Sequence, residues 1–206
     1  MEFPEPVHHL PPDEADPWHF HDSHTKYQNA WITVTESAVT RPDGQPGIYG
    51  VVHYANRAVA VVPIDEHGCT WLVGQYRPTV GCYSWEVPEG GVPRGEDLEE
   101  GARRELLEET GLTAATLELV SHTKLSNSVT DEEGLVFVAT GLSLGEATPE
   151  GTEQLRVLRM RIDDVMELID RGDITDGFTV IAMAAADRWR RRQYPRSHED
   201  LHQGRR

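Results

Sequence analysis

Glu105, Glu108 and Glu109 are three carboxylates at spacings of three and four within the stretch RELLEETGL. Residues three and four apart share one face of a helix, so a helix here draws all three together. Leu98, Ala102 and Leu106 project beside Glu105 and Glu109, so the carboxylates border an apolar stripe. Packed together at such a border they repel one another and their pKa values rise. A divalent cation removes that penalty. Hard oxygen ligands in this number suit Mg2+ or Mn2+, with bound phosphate completing the shell. The chemistry this points to is metal-assisted phosphoryl transfer, in which diphosphate oxygens are polarised and a water is activated. An acidic run such as ELLEE is by itself most often a solvated helix face, so its surroundings decide the matter.

The element that must position these groups is legible on either side. Leu98 to Glu109 contains no Pro and runs into Thr110-Gly111. A Gly just past the last turn suits a left-handed C-cap, and Leu112 supplies the apolar contact that follows it. Arg104 lies one turn before Glu108 and can pair with it. From Gly90 to Leu112 the chain reads G-x5-E-x7-R-E-L-x-E-E-x-G-L, with every specified position filled: Gly90, Glu96, Arg104, Glu105, Leu106, Glu108, Glu109, Gly111 and Leu112. This pattern resembles the Nudix box of the Nudix hydrolases. The resemblance implies that Glu105, Glu108 and Glu109 are metal ligands, helped by the Gly90 carbonyl, with Mg2+ as cofactor and Mn2+ as an alternative. Glu96 is a weaker candidate for the outer shell. Arg104 joins the catalytic set as the partner of Glu108.

The resemblance extends beyond the box over most of residues 27 to 190. The run LVGQYRPTVGCYSWEVPEGG, from Leu72 to Gly91, is similar to that of ADP-ribose and nucleotide-sugar pyrophosphatases. In that group the Arg of the Q-Y-R segment, here Arg77, contacts substrate phosphates. The Glu of the W-E-V-P-E-G segment, here Glu86, faces substrate or metal. A glutamate from a mobile loop after the box acts as base or extra ligand. Thr130-Asp131-Glu132-Glu133 is the acidic loop in the right place, with Glu132 the first choice and Glu133 the second. A carboxylate that joins the site only with substrate is a sensible general base. The plain alternatives are a salt bridge for Arg77 and a solvated acidic turn for the loop. One departure concerns proline: the subgroup carries one shortly after the box, whereas here none occurs between Gly111 and Pro149. The reaction type is unaffected, but ADP-ribose, GDP-mannose and UDP-glucose all stay open. A nucleoside triphosphate pyrophosphohydrolase is a further alternative. A non-catalytic binding module is disfavoured because the E-x-x-E-E ligands are intact.

The chain has 206 residues, enough for one domain with additions. Its net charge of −16 argues against a protein that wraps nucleic acid. An anionic substrate must therefore be met by metal or by local Arg. Cys69 and Cys82 stand in no metal or redox spacing, and two free thiols are expected. There is no apolar stretch of membrane-spanning length, and MEFPEPVHHL lacks the basic start and apolar core of a signal peptide, so a cytoplasmic location is expected.

Residues 1–26 are rich in Pro and acids, with His8, His9, His19, His21 and His24 interspersed at no defined ligand spacing. They read as an extended arm. Residues 27–54 read as an antiparallel β segment: Trp31–Thr35 and Ser37–Thr40, a turn at Arg41–Gly44, and a return over Ile48–Tyr54. In the resembled subgroup this segment is exchanged between two protomers. A homodimer follows, with Tyr27 or Trp31 placed to stack on the base. Residues 55–193 read as the hydrolase domain. Strands are expected at Ala58–Ile64, Thr70–Tyr76, Ser84–Val87, Ala115–His122, Leu135–Thr140 and Leu155–Ile162, and helices at Asp163–Asp170 and Thr175–Arg192. Phe178, Ile181, Ala185 and Trp189 lie at helical spacing as core positions, and Arg188–Arg192 suits a helix C-terminus. Residues 194–206 read as a polar tail. The fold class is α+β, and the resemblance implies an α/β/α sandwich with a mixed sheet.

If the carboxylates hold the metal, Glu109→Gln lowers turnover by orders of magnitude and leaves the circular dichroism spectrum and melting temperature near wild type. Wild-type turnover in that variant would remove the box from the chemistry.

Overall fold

The computed structural model describes residues 9–10, 12–145 and 155–193. The tail expected at 194–206, Pro149 and His8 lie outside the described residues. Ten strands and three helices are present among the described residues. At the centre is a four-stranded sheet ordered β7-β4-β9-β8, formed by Glu89–Pro93, Asn56–Pro63, Glu133–Leu144 and Leu112–Lys124. Strands β4 and β9 run parallel, and the outer pairs run antiparallel.

The apolar run of β4 is buried on both sides because successive side chains of a strand point to opposite faces. Val59 and Val61 meet Val92, Ala102, Leu106, Leu135 and Phe137 on one face. Ala60 and Val62 meet Val136, Val138, Phe178, Ala182 and Met183 on the other. Helix α1 (Leu98–Thr110) supplies the first cover and α3 (Gly177–Gln193) the second. The result is an α/β/α sandwich, as the sequence leads one to expect. A second sheet, β10-β5-β6 (Arg156–Arg161, Cys69–Arg77, Cys82–Glu86), carries Leu72 and Trp85 against the α3 side. Helix α2 (Ile162–Asp170) follows β10 directly. Phe178, Ala185 and Trp189 are buried as expected. Arg190 and Arg191 are neutralised locally by Asp163 and Asp187 rather than forming a phosphate patch.

The third sheet is N-terminal, ordered β1-β2-β3 (His19–Gln28, Ile32–Thr40, Pro46–Tyr54). Strand β1 starts inside the stretch whose composition suggests an extended arm. Its sequence HFHDSHTKYQ is exposed throughout. It is a strand because its backbone pairs with β2, not because it buries an apolar face. Strand β2 is continuous through Glu36, in unbroken register with β3 from Ile32↔Tyr54 to Thr40↔Pro46. The turn between them falls where Arg41–Gly44 place it, with Gly44 donating to the Arg41 carbonyl at 2.8 Å. Gly90 and Gly91 lie within β7 and pair with Val59 and Ala58. Two glycines disguise a strand because they carry no side chain to pattern.

Leu106 sits at 1% exposure in the middle of the α1 contact. Leu106→Ala is expected to cost about 2–5 kcal/mol, read from the denaturant midpoint at unchanged m-value. A loss under about 1 kcal/mol would show that this face is not closely packed.

Candidate active site

Helix α1 is fixed at both ends. Asp97 accepts from the amides of Glu99 and Glu100 at 2.9 and 3.0 Å, and Gly111 closes the helix at φ 71° with its amide on the Leu107 carbonyl. With Ala102 and Leu106 locked in the core, the helix cannot rotate, and Glu105 and Glu109 face β7. Glu109 is buried and accepts the Glu89 amide at 3.0 Å. Glu105 lies directly on Gly90. A Cβ added at Gly90 would meet the Glu105 carboxyl carbon at 2.1 Å, so a larger residue there would displace the carboxylate from its place. Glu108 is more open, and Arg104 bridges it to Glu105 with contacts of 3.1 and 2.8 Å. Burial works against the charge of Arg104, but Glu105 and Glu108 outweigh it and hold its pKa above the ordinary arginine value. Glu96 approaches Arg104 at 3.7 Å, on the outer side of the cluster.

A second carboxylate group, Glu86, Glu89 and Asp176, stands beside the first, with one oxygen from each within 4.8 Å of the others. Among the described residues no histidine joins such a group. Glu86 is 1% exposed and is held by Arg77 at 2.9 Å and Gln75 at 3.2 Å. Glu89 has one oxygen 3.4 Å from Arg77. Its other oxygen, Oε2, is buried and has no hydrogen-bond partner. Burial, then Asp176 and Glu86, push the Glu89 carboxyl well above the usual carboxylate range against the pull of Arg77. Asp176 caps α3, accepting the Thr179 amide at 2.7 Å.

Sequence patterning does not reveal Glu89 or Asp176. Glu89 is three residues past Glu86 across Pro88, which obeys no strand period, and Asp176 reads simply as a helix cap. The Glu89 oxygen without a partner, aimed among other carboxylates, is what a site for a hard divalent cation presents when its ligands are all oxygens. The residues therefore fit Mg2+ or Mn2+. Glu105, Glu108 and Glu109 are the ligands the box implies, together with the β7 backbone at Gly90.

Glu89 and Asp176 line a cleft of about 670 Å3 between the N-terminal sheet, β4, β7 and the start of α3, and Glu105 lies behind its Gly90 wall. Arg77, Gly90 and Glu132 line it, with Trp31 and Tyr54 on the N-terminal sheet's side. Glu132 is part-buried. Burial first, and Asp131 second, raise its pKa above the ordinary value. Phe178 and Ile181 line the cleft too, so these helix positions serve core and cleft together. Other expected site residues fall elsewhere. Glu133 turns outward to Lys124 and His122, and Lys124 holds its pKa low. Tyr27 is exposed outside the cleft lining, with its hydroxyl accepting from Asn29 at 3.3 Å. Glu86 is buried beneath Arg77 rather than on the wall. The loop expected to be mobile is tied to β3: Val52 donates to the Val129 carbonyl at 2.9 Å, and Asp131 donates to the Val52 carbonyl at 3.2 Å.

With this geometry, the chain's similarities can be placed. The NUDIX domain family matches residues 55–177, and the nucleoside diphosphate sugar hydrolase N-terminal domain matches residues 18–52. The second match begins just before β1 and spans all three N-terminal strands up to Val52. An ADP-ribose pyrophosphatase of Bacillus subtilis (strain 168) is 31% identical over 70% of this chain and 79% of its own length. An ADP-ribose pyrophosphatase of Mycobacterium tuberculosis is 31% identical over 79% of this chain and 80% of its own length. A methanol dehydrogenase activator of Bacillus methanolicus is 33% identical over 70% and 79%. The crystal structure of an ADP compounds hydrolase superposes with a TM-score of 0.79 over 89% of this chain and 99% of that one, at 22% identity, and so shares the fold. The domain match and these relatives place the chain in the Nudix family of hydrolases.

Proposed function

We propose that the protein hydrolyses the diphosphate bond of ADP-ribose to AMP and ribose 5-phosphate, with Mg2+ as cofactor and Mn2+ as a substitute. The observation that carries this reading is the convergence on one cleft of Arg77, Gly90, Glu132 and Trp31 beside the carboxylate helix. Two relatives bearing the name ADP-ribose pyrophosphatase supply the substrate class. When bound among Glu105, Glu108 and Glu109, the cation offsets diphosphate charge and acidifies water.

The chain's own residues divide the remaining work. Arg77 meets the phosphates from the cleft wall while Glu86, itself held by Gln75, keeps it oriented from below. Glu132 takes the proton of the attacking water. Its raised pKa brings it nearer the value a general base needs at neutral pH. Glu133 has no part in this role, being engaged by Lys124. Trp31 is 70% exposed at the cleft and offers a face for the base, and Phe178 adds apolar wall. Arg104 bridges Glu105 and Glu108 and offsets their mutual repulsion.

The protein acts as a homodimer. Phe20, Trp31 and Ile48 leave apolar area on the N-terminal sheet, and so small a sheet is stable only with a further surface over it.

With Mg2+, ADP-ribose is expected to give AMP and ribose 5-phosphate by chromatography, at a kcat/KM at least about tenfold above UDP-glucose, GDP-mannose or ATP. Preferred release of pyrophosphate from triphosphates would overturn the reading. Light scattering of the full chain is expected to give twice the monomer mass, and a monomer at micromolar concentration would exclude the dimer.

A further inference from the structure

The N-terminal sheet is joined directly to the loop that bears Glu132. We propose that Asp131 is a positioning residue, clamped by His53 and Tyr54 of β3, which holds Glu132 in the cleft. This inference rests on the reading of Glu132 as the base.

The contacts are specific. One Asp131 oxygen accepts the Tyr54 amide at 3.0 Å, and the other meets His53 Nδ1 at 2.8 Å. The far side of the imidazole, Nε2, is 3.0 Å from the Thr35 hydroxyl on β2. Both carboxylate oxygens are thus taken by consecutive residues of one strand, and the ring between them is braced by a third residue. The backbone does the same on either side. Val52 and Thr130 form a parallel bridge along the edge of β3, through Val52 to the Val129 carbonyl and Asp131 to the Val52 carbonyl. At the base of the loop the Leu125 amide donates to the Glu132 carbonyl at 3.2 Å.

Asp131 is followed at once by Glu132, which lines the cleft beside Tyr54. The residue that receives the Asp131 carboxylate at its amide is therefore itself a wall of the site. His53 and Asp131 are each about 40% exposed, and ion pairs so open to water contribute little to stability. Their two-directional geometry does something else: it fixes where the next side chain points. An error of about 1 Å in a reacting group can cost about a hundredfold in rate. The N-terminal sheet thus supports the proton-transfer loop of its own chain, in addition to whatever it does for base binding or dimerisation.

The test uses the full chain with Mg2+ and ADP-ribose. Asp131→Ala is expected to lower kcat about 10- to 100-fold with KM changed by less than about twofold, and to melt within a few degrees of wild type. Asp131→Asn, which can still accept the Tyr54 amide, is expected to recover kcat to within about threefold of wild type. His53→Ala is expected to fall between the two. Asp131→Ala placed in Glu132→Gln is expected to add almost nothing to the loss from Glu132→Gln alone, because no base remains to be positioned. If Glu132→Gln is slow while Asp131→Ala turns over at the wild-type rate, the clamp is wrong and the base assignment stands. If the two losses multiply in the double variant, Asp131 acts on the structure generally and the positioning role is refuted. If Glu132→Gln keeps wild-type turnover, the base assignment fails and the clamp falls with it.

Discussion

Repulsion among carboxylates drawn out of water is the constraint on which the site depends. Glu86 and Glu109 are almost fully buried, Glu89 and Glu105 nearly so, and all stand close to one another around β7. Each is answered differently. Glu86 has Arg77 and Gln75, Glu105 and Glu108 share Arg104, and Glu109 takes the Glu89 amide. One buried Glu89 oxygen is left with no partner. A fold tolerates such a group where a proton or a cation resolves it, since an isolated buried carboxylate is too costly to keep charged. The two-faced burial of β4 and β9 is what makes the arrangement affordable, because it holds α1 and β7 rigidly enough that the acids cannot separate.

The same constraint shapes how an anionic substrate is received by a chain of net charge −16. Arg77 at the cleft and Arg104 on α1 are already engaged with carboxylates. On the proposed reading they are oriented in advance, with side-chain freedom already lost before a phosphate arrives. Arg77 shows this most clearly. Its partner Glu86 lies beneath the cleft, so the guanidinium is held at the wall rather than drawn out into solvent. Substitutions at Glu86 are thus felt through Arg77.

The N-terminal sheet has a weak core and strong connections. Strand β1 is exposed along its length, yet Trp18 and Phe20 gather on Tyr49 at 5.1 and 5.7 Å, and Tyr49 donates to the Ser128 carbonyl of the following loop. The edge of β3 is covered by that loop. An open strand edge with an apolar face is a hazard for aggregation, and here the loop protects part of it.

What the sequence by itself determined is local. The spacing of Glu105, Glu108 and Glu109, the cap at Gly111 and the apolar stripe Leu98–Ala102–Leu106 set the helix, the clustering of its acids and the cover of one sheet face, because these follow from helical periodicity alone. The uninterrupted apolar run of β4 likewise announced a strand buried on both sides. Tertiary structure decided everything that depends on contacts between distant segments. It brought Glu89 and Asp176 together across 87 positions of chain, turned Glu132 into the cleft and Glu133 away from it, and made a strand of the polar stretch His19–Gln28. Neighbouring glutamates have the same chemistry and differ only in which partner their side chains meet. A polar strand pairs through its backbone, which carries no mark in side-chain periodicity.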